Sequence, residues 1–199
     1  MPEGQFVYIQ NPKAHGADKY HGAVAEGYDA KREESPKWKA EQRIIEDMLS
    51  DLPPASHVLD VPVGTGRFLR FYERRGYFVE AIDRSEDMLR EAMKKPLSCG
   101  DWCHFSLGNV LSLASANKSF DASVMCRLTR WLSPDDCTKA IHELARVTRK
   151  RIIFTTRLRH PTHPELARSY ELFSVDGWKI VMDEAADGED YRVVMMEPS

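Results

Sequence analysis

Short strand patterns alternate with helix patterns along most of the chain from His57 onward. The segments HVLDV, YFVEAID, FDASVMC and KRIIFTTRL have the length and composition of buried strands, and helix patterns follow most of them. Strands joined by helices form right-handed crossovers, which give a mostly parallel sheet with helices on both faces. The last two strand patterns flank the turn residues ADG and predict an antiparallel hairpin. The sequence therefore predicts an α/β fold of three layers, with about seven strands and an antiparallel C-terminal strand.

The chain has 199 residues, which is close to the size of one ordinary domain. A serine and a proline at positions 35 and 36 predict the start of a helix, and Pro53 and Pro54 end it. No repeat or linker divides the rest of the chain. We therefore expect a single domain over residues 1–199, made of a helical cap over residues 1–54 and a core over residues 55–199.

Composition excludes several classes of protein. No apolar run approaches the roughly 20 residues that cross a membrane, and the N-terminus lacks the pattern of a signal peptide. A net charge of −3 gives no overall attraction to nucleic acid. The four cysteines form no C-x-x-C pair, so we expect reduced thiols, no metal site and a cytoplasmic protein.

The stretch VLDVPVGTGRF, residues 58–68, joins the first strand to its helix. Gly64 and Gly66 remove Cβ atoms where a ligand must approach the backbone, and free N–H groups begin the helix. A dinucleotide fingerprint would need a third glycine at Leu69, and no phosphate-binding Gly-Lys-Ser or Gly-Lys-Thr follows. We expect Asp60 to point toward the turn, where a carboxylate repels phosphate and suits an ammonium or sulfonium group.

A second acid follows at the end of the next strand. Asp83 lies about 20 residues beyond the glycine turn, which is the position of carboxylates that bind ribose hydroxyls. The site thus combines a contact for an ammonium group, open backbone and a contact for ribose. S-adenosylmethionine has both an ammonium group and a ribose, so it matches this set of contacts.

The stretch 56–132 resembles the cofactor-binding half of class I S-adenosylmethionine-dependent methyltransferases. VLDVPVGTGRF is similar to the first motif of that family, FVEAIDRSEDML to the second, LGNVLSL to the third and FDASVMC to the fourth. The resemblance implies a Rossmann-like methyltransferase sheet over residues 55–199, with S-adenosylmethionine as cofactor and S-adenosylhomocysteine as product. It implies these cofactor-binding residues: Asp60, Pro62, Gly64, Thr65, Gly66, Asp83, Arg84, Met88, Asn109, Val110 and Cys126.

Two residues depart from the family pattern, and two more come from the cap. Pro62 stands where a glycine is common, and Asn109 replaces the more usual aspartate. Both changes can weaken cofactor binding, and neither excludes it, because an amide both accepts and donates hydrogen bonds. Since caps of this family often close over the cofactor, we expect Tyr20 or Tyr28 to offer an aromatic face to the sulfonium.

The acceptor is expected to bind at the loops after the fourth and fifth strands. Residues 127–168 hold ten Lys or Arg against four Asp or Glu, in a chain whose net charge is −3. We hypothesise that arginines of these loops hold a carboxylate or phosphate of the acceptor; the alternative is a solvated face. The candidate residues are Arg127, Arg130, Trp131, Arg157, Arg159 and His160.

The expected activity is methyl transfer to a small acceptor, with an anionic acceptor as a hypothesis. Because methyl transfer is a direct displacement, positioning dominates and the catalytic residues stay open. CRLTRW lacks the motif of DNA amino-methyltransferases. A small molecule is favoured over a nucleic acid or protein, since the chain is short and its cap has only about 50 residues. Two alternatives remain: a non-catalytic protein that binds the cofactor or its product, as a sensor or partner subunit, and an NAD-dependent oxidoreductase. The oligomeric state is open, although the hairpin edge could pair with a second copy.

Overall fold

The computed structural model describes residues 20–98, 100–159, 162–164, 167–188 and 190–199. The helices are α1 (Ala23–Glu26), α2 (Pro36–Leu49), α3 (Leu69–Arg75), α4 (Glu86–Met93) and α5 (Pro134–Val147). The strands are β1 (His57–Asp60), β2 (Phe78–Asp83), β3 (Cys103–Leu107), β4 (Phe120–Met125), β5 (Thr148–Arg157), β6 (Trp178–Asp187) and β7 (Tyr191–Pro198). In the described part of the chain, no helix has the length and apolar character needed to cross a membrane.

Local sequence explains where the helices begin and end. The hydroxyl of Ser133 accepts a hydrogen bond from the backbone N–H of Asp136 at 3.1 Å and caps α5. Gly76 ends α3 in the left-handed conformation, with φ of 68°. Ser35 precedes α2 without a side-chain capping bond, so the fixed φ of Pro36 is what favours the helix start there.

The seven strands form one sheet in the order β3-β2-β1-β4-β5-β7-β6. Strands β1 to β5 are parallel to one another, and β7 lies antiparallel between β5 and β6. The predicted mostly parallel sheet with an antiparallel C-terminal strand is confirmed. Strand order reverses between β1 and β4, and in such sheets the ligand crevice lies beyond the carboxyl ends of the strands at this point.

Apolar side chains fill both faces of the sheet. One cluster packs α2, α3 and α4 against the sheet, and a second packs α5 and the segment near Phe173 against the other face. The largest fully buried side chains include Tyr72, Leu49 and Leu89 in the first cluster and Phe154, Ile141 and Leu144 in the second. Two such layers hold the carboxyl ends of the strands in fixed positions relative to one another.

Strand β6 forms one edge of the sheet and is irregular. Its register with β7 shifts twice, between Ile180 and Met182 and again between Ala185 and Asp187. At each shift two residues of β6 oppose one of β7, which is the arrangement of a β-bulge. Ile180, Val181 and Met182 are exposed on this strand.

The segment before β1 is fastened to the core near the glycine turn. The Ser85 hydroxyl donates to the backbone carbonyl of Tyr20 at 2.6 Å. The Thr65 hydroxyl donates to Asp29 Oδ1 at 2.5 Å, and Lys95 pairs with the other oxygen of that carboxylate. These contacts hold residues 20–29 across the start of α4 and the glycine turn.

Candidate functional site

A cavity lies beyond the carboxyl ends of β1, β2 and β4, where the strand order reverses. It encloses about 1100 Å³, including its open mouth. Eleven of the predicted cofactor-binding residues line it: Tyr20, Tyr28, Pro62, Gly64, Thr65, Asp83, Arg84, Met88, Asn109, Val110 and Cys126. The structure thus brings together residues from five separate segments of the sequence.

The two glycines of the turn have different surroundings. Gly64, with φ of 57°, lines the cavity, and a Cβ there would lie 3.7 Å from Met88 Cε. Gly66, with φ of 76°, does not line the cavity, and a Cβ there would lie 2.5 Å from Leu69 Cδ1 and 3.1 Å from Ala92 Cβ. Gly64 therefore leaves room on the ligand side, and Gly66 lets the turn pack against α3 and α4.

Asp83 ties the glycine turn to the loop after β2. Its Oδ2 accepts from the backbone N–H of Gly64 at 2.9 Å, and its Oδ1 accepts from the N–H of Ser85 at 2.8 Å. Burial raises the pKa of this carboxyl above its usual value, although both bonds favour the charged form. Because each carboxylate oxygen has a further lone pair, Asp83 can still accept hydrogen bonds from two ligand hydroxyls.

Asp60 lies deeper than the sequence predicts. It is 1% exposed and is not among the residues that line the cavity. Its Oδ2 accepts from the Tyr72 hydroxyl at 3.2 Å, while its Oδ1 has no hydrogen-bond partner in the described part of the chain. Burial raises the pKa of Asp60 to about 8, although the hydrogen bond from Tyr72 acts to lower it. An unsatisfied buried oxygen costs stability, so a donor or cation reaching it would be bound favourably.

Asn109 has one half of its amide engaged. Its Oδ1 accepts from the backbone N–H of Leu111 at 3.0 Å. The Nδ2 group makes no hydrogen bond to the described residues. The sequence left open whether this amide donates or accepts, and the structure favours donation.

Aromatic rings form the wall of the cavity on the cap side. Tyr20 contacts Tyr28 at 5.7 Å and Trp131 at 6.0 Å between ring centroids, and Tyr28 contacts Trp38 at 6.0 Å. Burial raises the pKa of Tyr28 to about 12, so its hydroxyl stays protonated at neutral pH. Trp38 was not among the predicted residues. Rings in this arrangement suit a sulfonium or an apolar group.

A buried carboxylate joins the cap to two parts of the core. Glu41 of α2 is 0% exposed and accepts from Arg67 Nη1 at 2.6 Å, Arg127 Nε at 2.7 Å and the Tyr191 hydroxyl. Burial opposes its ionisation, but the charges of Arg127 and Arg67 outweigh that effect, so the pKa of Glu41 lies below its usual value. Arg67 follows the glycine turn and Arg127 follows β4, so one side chain holds both loops against the cap.

Sequence reasoning missed Glu41, although one signal was present. It lies three residues after Trp38, four before Ile45 and seven before Met48, so it falls on the buried stripe of α2. A charged residue on such a stripe needs a buried partner.

A second cleft lies beside the main cavity and encloses about 460 Å³. It is lined by Lys37, Arg127, Thr129, Arg130, Thr155, Arg157 and Tyr191. Arg127 lines both the cleft and the main cavity, and Trp131 lines the cavity alone. Of the other predicted acceptor residues, Arg159 is exposed and lines neither space, and His160 lies outside the described residues.

Comparisons with known proteins agree with this geometry. A family model described as a methyltransferase domain matches residues 58–151. A malonyl-[acyl-carrier protein] O-methyltransferase of Serratia marcescens is 31% identical over 105 residues, which are 52% of this chain and 39% of that protein. The corresponding protein of Erwinia pyrifoliae is 33% identical over 104 residues, 51% of this chain and 37% of its own. The chain thus matches about two fifths of the length of these relatives.

The fold has solved counterparts. Magnesium protoporphyrin IX methyltransferase from Synechocystis PCC 6803, crystallised with bound S-adenosylmethionine, superposes with a TM-score of 0.74 at 15% identity. The superposition covers 92% of this chain and 95% of that one. Residues 58–151 match the methyltransferase domain family, and the chain has the Rossmann-like fold of S-adenosylmethionine-dependent methyltransferases.

Proposed function

We propose that this chain transfers the methyl group of S-adenosylmethionine to a small acceptor and releases S-adenosylhomocysteine. The observation that carries the proposal is the cavity at the strand-order reversal, where the open turn at Gly64 meets the carboxylate of Asp83. A nucleic acid acceptor is less favoured, because the chain has a net charge of −3 and CRLTRW lacks the motif of DNA amino-methyltransferases.

The residues present fit this cofactor. Asp83 has lone pairs left for the ribose hydroxyls, and Asn109 offers an amide donor to the adenine ring. The unsatisfied Oδ1 of Asp60 supports a role of that carboxyl toward the ammonium group, with a water molecule bridging the two. Tyr20 and Tyr28 offer ring faces to the positively charged sulfur. When bound, S-adenosylmethionine supplies an electrophilic methyl group.

The chain itself contributes position and the exclusion of water. Contacts from Asp29 to Thr65 and from Tyr20 to Ser85 hold the cap across the cavity. Cys126 lines the cavity, but burial raises the pKa of its thiol well above the usual value, so it stays protonated. We infer that neither Cys126 nor Tyr28 removes a proton at neutral pH, and that the reaction depends on orientation.

The proposal includes the organisation of the chain. We infer that residues 1–199 act as one unit, with residues 1–54 as the cap and residues 55–199 as the core. The bonds of Glu41 to Arg67 and Arg127 support this division, because they join the two parts around the cavity. A cytoplasmic location stays a prediction.

Calorimetric titration with S-adenosylmethionine, S-adenosylhomocysteine and NAD tests the proposal. We expect micromolar binding of the first two and none of NAD. Asp83→Ala should weaken binding about 100-fold, because two hydrogen bonds to a charged group are lost. Asp101→Ala, at an exposed position, is the control and should bind as the parent protein does.

Three outcomes separate the functions. If neither adenosyl compound binds, the proposal is wrong. If both bind and mass spectrometry detects no methylated product from a panel of small carboxylic acids, amines and phenols, the non-catalytic alternative gains support. Binding of NAD would favour an oxidoreductase.

A further inference from the structure

One loop separates the main cavity from the second cleft. The residues after β4 form a short 3₁₀ turn, Thr129–Trp131. On one side of this loop Leu128, Trp131 and Leu132 line the main cavity, and on the other side Thr129 and Arg130 line the cleft. The wall is therefore apolar toward the cavity and polar toward the cleft.

The cleft has an excess of positive charge. Four of its lining residues are basic, and two of these have acidic partners: Lys37 with Asp187 at 2.7 Å and Arg127 with Glu41 at 2.7 Å. Arg130 and Arg157 form no ion pair with a carboxylate in the described part of the chain. Lys37, first through its hydrogen bond, and then Arg157 and Arg127 lower the pKa of Asp187, and all three cations line the cleft.

The guanidinium of Arg127 is held in a fixed orientation. Its Nε donates to Glu41, and its carbon lies 4.6 Å from the ring centroid of Trp38. Its two terminal nitrogens make no hydrogen bond to the described residues. A guanidinium bound at Nε still presents N–H groups to a planar oxyanion, and less side-chain entropy is lost on binding.

Tyr191, which lines the cleft, holds two of its cations in place. The ring of Tyr191 lies 4.1 Å from Lys37 Nζ and 5.4 Å from the guanidinium carbon of Arg157, measured to the ring centroid. The Tyr191 hydroxyl donates to Glu41, which fixes the ring. Cation–π contacts of this kind hold a charged side chain in place without neutralising it.

We propose that the second cleft binds an oxyanion of the methyl acceptor, a carboxylate or phosphate, while the acceptor's apolar part lies against Trp131 in the main cavity. This inference rests on the proposed function and names the substrate class: a small acid with an apolar or aromatic body. Arg157 and Arg130 supply the charge that no ion pair neutralises, and Arg127, which lines both spaces, contacts the ligand between them.

Matched probes test the proposal on the full chain. Phenylacetate, phenyl phosphate and the uncharged phenylacetamide are titrated by calorimetry, with and without saturating S-adenosylhomocysteine. We expect at least one anion to bind about tenfold or more tightly than the amide, since hydrogen bonds to charged groups are the stronger ones. Amide NMR shifts of Thr129 and Thr155, which line the cleft, locate the probe.

Variants assign the effect to the cleft. Arg130→Gln/Arg157→Gln should remove the preference for the anion, while phenylacetamide and S-adenosylhomocysteine bind as before. Arg43→Gln removes the same charge from an exposed position of α2 and should change nothing. The single variant Arg157→Lys keeps the charge and should retain most of the preference, which separates charge from any general loss of folding.

Several results would overturn the proposal. Equal binding of the anions and the amide would do so, as would an anion preference that survives in the double variant. Competition between phenylacetate and S-adenosylhomocysteine would assign the cleft to the carboxylate of the cofactor instead. If S-adenosylhomocysteine binds neither the parent protein nor any variant, the proposed function fails. The probe titrations without S-adenosylhomocysteine still decide whether the cleft selects an oxyanion.

Discussion

Glu41 and Asp60 are two carboxyl groups buried to the same degree, and their pKa values move in opposite directions. Both are at most 1% exposed. Glu41 contacts two guanidinium groups and has a lowered pKa, whereas Asp60 has a tyrosine hydroxyl as its partner and a pKa of about 8. Burial alone therefore does not set the charge state, and the neighbouring cations decide it.

The same contrast separates the two sides of the site. On the glycine-turn side, Asp60 and Asp83 both have raised pKa values, so the neighbouring groups do not offset the cost of burying a negative charge there. On the cleft side, Glu41 and Asp187 have lowered pKa values, so positive charge is in excess. The first side suits a ligand that carries a cation, and the second suits one that carries an anion.

Neutralising Glu41 should have the largest effect, because this residue lies between the two sides. Glu41→Gln leaves Arg67 and Arg127 without their carboxylate partner, and we expect the free energy of unfolding in urea to fall by about 3–5 kcal/mol. Glu34→Gln, which removes an exposed acid of the cap, should leave that free energy unchanged within error. A loss no larger than in the control would mean that the arginines find other partners.

The pKa of Asp60 predicts how stability depends on pH. Because its folded pKa of about 8 exceeds the unfolded value, the native state holds one extra proton between about pH 4 and pH 8. The free energy of unfolding should therefore decrease as pH rises through that window, by up to roughly 1.4 kcal/mol per pH unit. Asp60→Asn should flatten the profile measured by urea unfolding between pH 5 and pH 7.5.

The same group can be followed during cofactor binding. If a cation of the ligand stabilises the Asp60 carboxylate, binding of S-adenosylmethionine at pH 7 should release a proton. The binding enthalpy would then vary with the ionisation enthalpy of the buffer in the parent protein and vary less in Asp60→Asn. An identical buffer dependence in both proteins would remove Asp60 from the cofactor contacts.

Gly66→Ala should have a smaller effect, confined to the glycine-turn side. Gly177 has nearly the same φ, 77° against 76°, but open space around it, so Gly177→Ala isolates the cost of the backbone conformation. We expect about 1 kcal/mol for Gly177→Ala and about 1–2 kcal/mol more for Gly66→Ala, which crowds Leu69 and Ala92. Thermal unfolding measures both.

Ligand binding should distinguish these two glycines as well. Gly66→Ala should weaken the binding of S-adenosylhomocysteine and leave the response to phenylacetate intact. Gly177→Ala should change neither. Weakened phenylacetate binding in Gly66→Ala would mean that the two sides of the site do not respond independently.

More of the fold than of the site could be predicted from the sequence. Strand and helix periods, the turn at Gly64 and the strand-end acid at Asp83 are local patterns, and the structure places them together. The partner of Arg127 could not be predicted, because Glu41 lies 86 residues away and only the completed fold brings them into contact. Arg157 and Arg159 are equivalent candidates in the sequence. Strand β5 ends at Arg157, and of these two arginines only Arg157 lines the cleft.

The two bulges of β6 bear on aggregation. An edge strand offers its free N–H and C=O groups to any strand of matching spacing, and three exposed apolar side chains would add to that attraction. The extra residues at Val181 and Ala186 interrupt the spacing twice within ten residues, so a second strand can match only short runs. The irregularity thus protects the exposed edge, and deleting one bulged residue should make the protein more prone to form β-sheet oligomers.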